Sequence, residues 1–267
     1  MPSVNTIRGI IKQLTEAGLL LQYDNLQVLP QVNWDLLPEG VGPRWGGLPS
    51  GRLERKRRQL ETLVTIAQQL SKEGDRIVDF GSSSGHVGLP LACLLPHCSV
   101  TLLDMKPIPL DIARKRIETA RLNNVKILCG NISEFTDQFD IGIGLHVCGD
   151  ATDQAIDQCI ANQASYVFCP CDLGEIQRSS LPYPRSKRFA DVIDRTDFNR
   201  LARAGDWTSW DFEDEKCRIG WEVSGWLALD RNLFAEEHGY RTSLLKISPA
   251  EAGLKSVVLT GQYGQVR

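Results

Sequence analysis

IVDFGSSSGHVG, residues 77–88, decides how this chain is read. By composition, Gly81-Ser82-Ser83-Ser84-Gly85 could be a flexible linker. Its context argues otherwise. An apolar run, Ile77-Val78, leads in, and the stretch LPLACLL (89–95) follows His86-Val87-Gly88. That is a tight loop between a strand and a helix. Gly81 permits the sharp turn, and Gly85 lets backbone approach a ligand closely. Pro90 lacks an N–H and fits the first turn of a helix. The helix start is therefore predicted near His86, with free N–H groups directed back into the loop.

Working outward, strands and helices alternate from residue 75. DRIVDF is a predicted strand and HVGLPLACLL a helix. Strand 99–104 precedes a helix over 110–121, followed by strands 125–129 and 139–147, a helix over 151–161 and strand 165–169. The short apolar strands lack in/out alternation, as parallel strands covered on both faces do. The predicted class is α/β, a Rossmann-like doubly wound sheet. After a helix over 221–238, YRTSLLKIS, a turn at Pro249–Gly253 and KSVVLTG predict an antiparallel C-terminal edge hairpin.

Two regions break the rhythm. Residues 1–50 read as an appendage: an amphipathic helix over 4–20, a hairpin over 19–30 turning at Asp24-Asn25, and a loop rich in Pro, Gly and Trp. Residues 51–267 form the main domain, opened by a helix over 51–72 and interrupted by a polar insertion at 178–220 with Trp207, Trp210 and an acidic run from Asp211 to Glu215.

Composition bounds the function. The chain has 267 residues, net charge −3 and 42 % apolar residues, an ordinary globular balance. Bulk charge points to neither nucleic acid nor membrane, so such a case must rest on local patches. No apolar run is long enough to span a bilayer. The N-terminus lacks signal-peptide features. Cys93, Cys129 and Cys159 lie in apolar or helical patterns, so a reducing, cytoplasmic setting is expected.

The loop's ligand follows from its acids. A dinucleotide site wants G-x-G-x-x-G with an acid about 20 residues on. Here Gly81, Gly85 and Gly88 miss the middle glycine. Asp79 stands before the loop, and Asp104 closes the next strand in VTLLDMK. Carboxylates repel a pyrophosphate and attract a ligand carrying an amino group and ribose hydroxyls. S-adenosylmethionine has both. Asp79 is expected to hold its methionine end, directly or through water, Asp104 the ribose and Asn131 the adenine edge. Gly81, Ser83, Gly85, His86, Met105 and Leu145 complete the predicted cofactor-binding set.

A resemblance extends this reading. FGSSSGHVGLPLACLLPHCSVTLLDMK, FDIGIGLHVCGDATDQAIDQCI, ASYVFCPCDLG and the LDR segment at 229–231 resemble the methyltransferase domain of glutathione S-transferase C-terminal domain-containing proteins. They are more distantly similar to the eukaryotic tRNA acceptor-stem ribose methyltransferases, which share LHxCGDxTD. The likeness covers roughly residues 45–263. It implies a class I methyltransferase fold and an RNA acceptor. The chain departs at Ser83, where many methyltransferases have glycine and where serine would require a slightly rearranged loop. It departs again at Cys171-Asp172-Leu173, where the family has Cys-Cys-Tyr.

Open α/β sheets bind ligands at the carboxyl ends of their strands. His146 and Asp150 are therefore candidates for acceptor contact or proton handling, Asp150 doubling as a helix N-cap. Cys169 and Cys171 are candidate pocket thiols. Cys148, Cys169, Cys171 and His146 are zinc-type ligands, but Cys-x-Cys is not the usual Cys-x₂-Cys spacing, and no metal is expected. Arg52, Arg55, Lys56, Arg57 and Arg58 form either a solvated helix face or a phosphate track, together with Arg178, Arg185, Lys187 and Arg188. The alternatives to RNA are a protein or small-molecule acceptor, or a cofactor-binding module without turnover.

Overall fold

The structure is a computed structural model, and it describes residues 2–24, 32–42, 50–207, 213–247 and 256–264. The turn of the predicted hairpin at 25–30, Trp210, Asp211, the Pro249–Gly253 turn and the Arg52 side chain lie outside the described residues.

A seven-stranded sheet carries the fold: β1 (Arg76–Phe80), β2 (Ser99–Asp104), β3 (Val125–Cys129), β4 (Ile141–Cys148), β5 (Ser165–Cys171), β6 (Tyr240–Lys246) and β7 (Val257–Tyr263). The order is β3-β2-β1-β4-β5-β7-β6. The first five strands are mutually parallel. The C-terminal hairpin docks through β7, antiparallel to both β5 and β6, so β6 forms the edge. Asp24 covers that edge, its N–H donating to the Leu244 carbonyl at 2.8 Å.

Helices α1 (Val4–Glu16), α2 (Ser50–Leu70), α3 (Gly88–Leu94), α4 (Pro107–Ala120), α5 (Ala151–Asn162), α6 (Lys187–Ala190), α7 (Arg195–Gly205) and α8 (Glu215–Glu236) surround the sheet. Three helix starts differ by two or more residues from the sequence reading, α8 beginning at Glu215 rather than 221. α3 begins at Gly88 rather than His86, which still keeps Pro90 in the first turn. α4 begins at Pro107, whose fixed φ suits the first helical position.

Strand periodicity divides the core. Ile77, Leu102, Ile143 and Val167 pack one face with α2 and α3. Val78, Phe80, Leu103 and Phe168 pack the other with α5 and Ala228 and Ala235 of α8. A third cluster joins Ile7, Ile10 and Leu14 of α1 to Phe198 and Leu201 of α7 and Val223 of α8. The insertion read as polar is thus a packed helical layer. Its composition hid this because α7 buries a narrow stripe, Phe198, Leu201 and Ala202, beneath a charged outer face.

Candidate active site

The parallel strands place the carboxyl ends of β1, β2, β4 and β5 along one edge of the sheet. The glycine loop leaves β1 there. Gly81, Ser83 and Gly85 adopt φ of +64°, +51° and +77°. Ser82 N–H donates to the Leu103 carbonyl at 3.0 Å and Gly85 N–H to the Ser82 carbonyl at 2.8 Å. A Cβ on Gly85 would lie 2.8 Å from Leu89 Cγ. Ser83 takes the left-handed conformation a glycine would take, so the serine itself, rather than a rearranged loop, absorbs the cost.

The two acids behave differently. Asp79 is buried, and its Oδ2 accepts the Gly88 N–H at 2.9 Å. Burial pushes its carboxyl up to about 7, against the Gly88 bond and helped by Asp104. It ties the start of α3 to the end of β1 through this bond. Asp104 is half-buried. Its Oδ2 accepts from Ser83 N–H and its Oδ1 from Lys106 N–H, both at 2.8 Å. A carboxylate offers about four acceptor sites, so capacity remains for hydroxyl groups. Met105 and Asn131 are exposed beside it. Cys129 Sγ bridges the two strand ends, donating to the Met105 carbonyl at 3.7 Å. Leu145 is half-buried and packs against the core under α2.

His86 is held at both ring nitrogens: Nδ1 lies 3.3 Å from Arg116 and Nε2 3.0 Å from Ser84 Oγ. A guanidinium only donates, so Nδ1 accepts and Nε2 carries the proton. Burial, then Lys56 and Arg116, push the imidazole down to about 3, so it is neutral.

On the acceptor side, His146 is exposed with φ +60°, and its Nε2 meets Gln59 Oε1 of α2 at 3.1 Å. Asp150 does not cap α5 with its side chain. Its Oδ2 accepts the Ser179 hydroxyl at 2.6 Å instead. Cys169 corrects the pocket-thiol reading: it is fully buried among the residues under α2, and burial pushes its thiol up to about 12. Cys171 parts from it. A register shift between Leu145 and Cys148 pairs Cys148 with Cys171 across β4 and β5. The strand ends therefore bring together Cys148, Cys171 and Asp172, not the four-residue set with Cys169 and His146.

The basic run lies on α2 and is half-buried from Arg55 to Arg58. Arg57 Nε meets Glu61 at 3.1 Å and Arg58 lies 3.7 Å from the same carboxylate. Burial, then Arg116, push Lys56 down to about 8. On the insertion, Lys187 and Arg188 are exposed and Arg178 pairs with Glu175 at 2.8 Å. Arg185 leaves the proposed phosphate track. Its side chain is buried, 2.5 Å from Asp157 and stacked 4.3 Å from the Phe234 ring centre. Trp207 is half-buried, packs against the α1/α7/α8 cluster and holds Lys216 5.8 Å from its ring centre.

Residues 55–178 match the family model described as a methyltransferase domain. That span holds the glycine loop, both acids and the β4–β5 ends. This region of the chain is a methyltransferase domain. The chain is 38 % identical over 231 residues to the mouse glutathione S-transferase C-terminal domain-containing protein, covering 86 % of this chain and 36 % of that protein. It is 35 % identical over 265 residues to the Drosophila melanogaster homolog, covering 96 % and 45 %. The chain thus spans less than half the length of these relatives. An rRNA methylase from Streptococcus thermophilus shares the fold, with TM-score 0.50 and 9 % identity over 78 % of this chain and 98 % of that one.

The methyltransferase domain's residues fit S-adenosylmethionine by their chemistry. Asp104 keeps acceptor capacity beyond the two N–H groups it holds, which suits ribose hydroxyls. A pyrophosphate beside the Asp79 and Asp104 carboxylates would be repelled, whereas an ammonium would be attracted.

Two buried polar arrangements, three residues in all, escaped the sequence reading. Arg116 of α4 is fully buried and donates to the carbonyls of Gly40 (2.6 Å), Ser84 (2.7 Å) and Val41 (2.9 Å). An arginine among charged neighbours on an exposed-looking helix gives no sequence signal. Asp153 and Arg231 form a buried pair, with contacts of 3.0 and 2.7 Å, and Arg231 also donates to the Gly149 carbonyl at 3.0 Å. These residues end the LHVCGDATD and LDR stretches. The two stretches thus meet as one clamp on the loop after β4, and Tyr183 OH donates to Asp153 at 2.6 Å.

Proposed function

We propose that this chain transfers a methyl group from S-adenosylmethionine to an RNA acceptor. The observation that carries the reading is the His146–Gln59 hydrogen bond, 3.1 Å. It fastens the basic helix α2 over the carboxyl end of β4, on the edge that also holds the glycine loop and Asp104. A polyanion tracking Arg55 to Arg58 would be delivered to that edge.

When bound, the cofactor supplies an electrophilic methyl group on a sulfonium. Asp104 and Asn131 would hold its adenosine, the 81–85 loop its chain, and the flanking Met105 would cover an apolar face. Asp79 and Arg116 act at one remove by fixing the loop. His146 stands at the β4 end, exposed, as the group able to take a proton from an acceptor hydroxyl. Asp150 instead orients Ser179 beside it.

The test is transfer of labelled methyl from S-adenosylmethionine to total RNA, with protein and small-molecule fractions alongside. Label in RNA, lost on ribonuclease treatment, supports the reading. Label confined to protein or metabolites, with cofactor binding intact, overturns the RNA acceptor.

A further inference from the structure

We propose that Cys148, Cys171 and Asp172 form a binding site for a divalent ion of the zinc class at the carboxyl ends of β4 and β5. This goes beyond methyl transfer and does not depend on it.

Among the described residues, these three bring one ligand atom each to within 4.8 Å of one another. The two sulfurs are 2.8 Å apart, and both lie near one carboxylate oxygen of Asp172, at 3.1 and 3.5 Å. Three separate features of the chain produce this convergence. The register shift between Leu145 and Cys148 puts Cys148 opposite Cys171. His146 and Asp172 both adopt left-handed backbone, φ +60° and +42°, at positions where neither is glycine. The Asp153–Arg231 clamp holds the Gly149 carbonyl one residue after Cys148.

The ligand types select the ion. Two sulfurs and one carboxylate oxygen suit a borderline-soft ion rather than magnesium or calcium, which take oxygen ligands. Three protein ligands define the open class of zinc site, with the fourth tetrahedral position left to water. Cys148 and Asp172 are exposed, which provides the entry path, while Cys171 is buried behind them. Binding balances simply: the ion displaces the protons of the two thiols, which pass to the buffer, and Asp172 stays a carboxylate.

The test uses the full chain, purified without chelator under reducing conditions. Elemental analysis, zinc competition against a chromophoric chelator, and absorption of the cobalt(II)-loaded protein are measured. The expected result is one zinc per chain and a thiolate-to-cobalt charge-transfer band. Cys148→Ser and Cys171→Ser should each weaken zinc about tenfold or more and cut the band to about half, and the double variant should abolish it. Asp172→Asn, which leaves both thiols in place, should keep the band but weaken zinc. Far-ultraviolet circular dichroism and cooperative thermal unfolding, measured on each variant, report that it is folded. Absence of the band and of competition overturns the site. So does unchanged affinity in all three variants, which would put the ion elsewhere. A mass two hydrogens short that reduction restores would assign the two thiols to a disulfide instead and overturn it equally.

Discussion

The guanidinium of Arg116 donates to the Ser84 carbonyl at 2.7 Å, and its other donors reach Gly40 and Val41. One buried side chain therefore joins the glycine loop to the segment before α2. Arg116→Met would leave those carbonyls unsatisfied, at about 1–3 kcal/mol for each group. We expect a lower urea midpoint and at least a tenfold loss of S-adenosylhomocysteine affinity in calorimetry. Unchanged affinity in the folded variant would remove Arg116 from the positioning of the loop.

Asp104 accepts two backbone N–H groups and stands at the β2 end. Asp104→Asn keeps an acceptor but removes the charge. Cofactor affinity should fall about tenfold, near the 1.4 kcal/mol equivalent, with a smaller change in stability. Equal affinities in the two proteins would sink the ribose assignment.

Asp79 links stability to pH. Its carboxyl rises from 3.8 to about 7 on folding, so the folded chain binds more protons than the unfolded chain within that window. This group's contribution is most favourable at the acidic end and declines as pH rises through the window, by at most about 1.4 kcal/mol per pH unit. Asp79→Asn should flatten the fall while keeping an acceptor for the Gly88 N–H. Parallel stability curves between pH 4 and pH 7 would show that Asp79 ionises freely.

Ser83 holds φ +51° while donating its N–H to Asp104. Ser83→Gly keeps that bond and removes the left-handed penalty, about 1 kcal/mol, part of which the added chain entropy of glycine offsets. Thermal unfolding should shift upward by about one degree. A downward shift would mean that the serine side chain contributes more than its backbone costs.

If RNA is the acceptor, Arg55→Gln with Lys56→Gln should weaken RNA binding and lower the slope of log affinity against log salt, by about 0.7 for each single-strand phosphate no longer neutralised. These two residues leave the Arg57–Glu61 pair in place. An unaltered slope in a titration over salt concentration would assign the run to the support of α2.

The order of strands and helices was legible because each element is short, apolar and bounded by turn residues. The strand-helix context alone made GSSSG a loop with a ligand rather than a linker. Asp104 was legible for the same reason: a strand end fixes where a residue stands. Sequence position could not say which way a side chain turns. Asp79 and Cys169 stand at the predicted ends yet face inward, because strand parity and the Gly88 N–H decide their direction. Cys148 and Cys171, by contrast, converge through a register shift that no periodicity reveals. Arg116, Arg185 and the Asp153–Arg231 pair belong wholly to the tertiary structure. Each is a charge taken out of water, which is stable only where distant segments supply its partners, here up to 82 positions away.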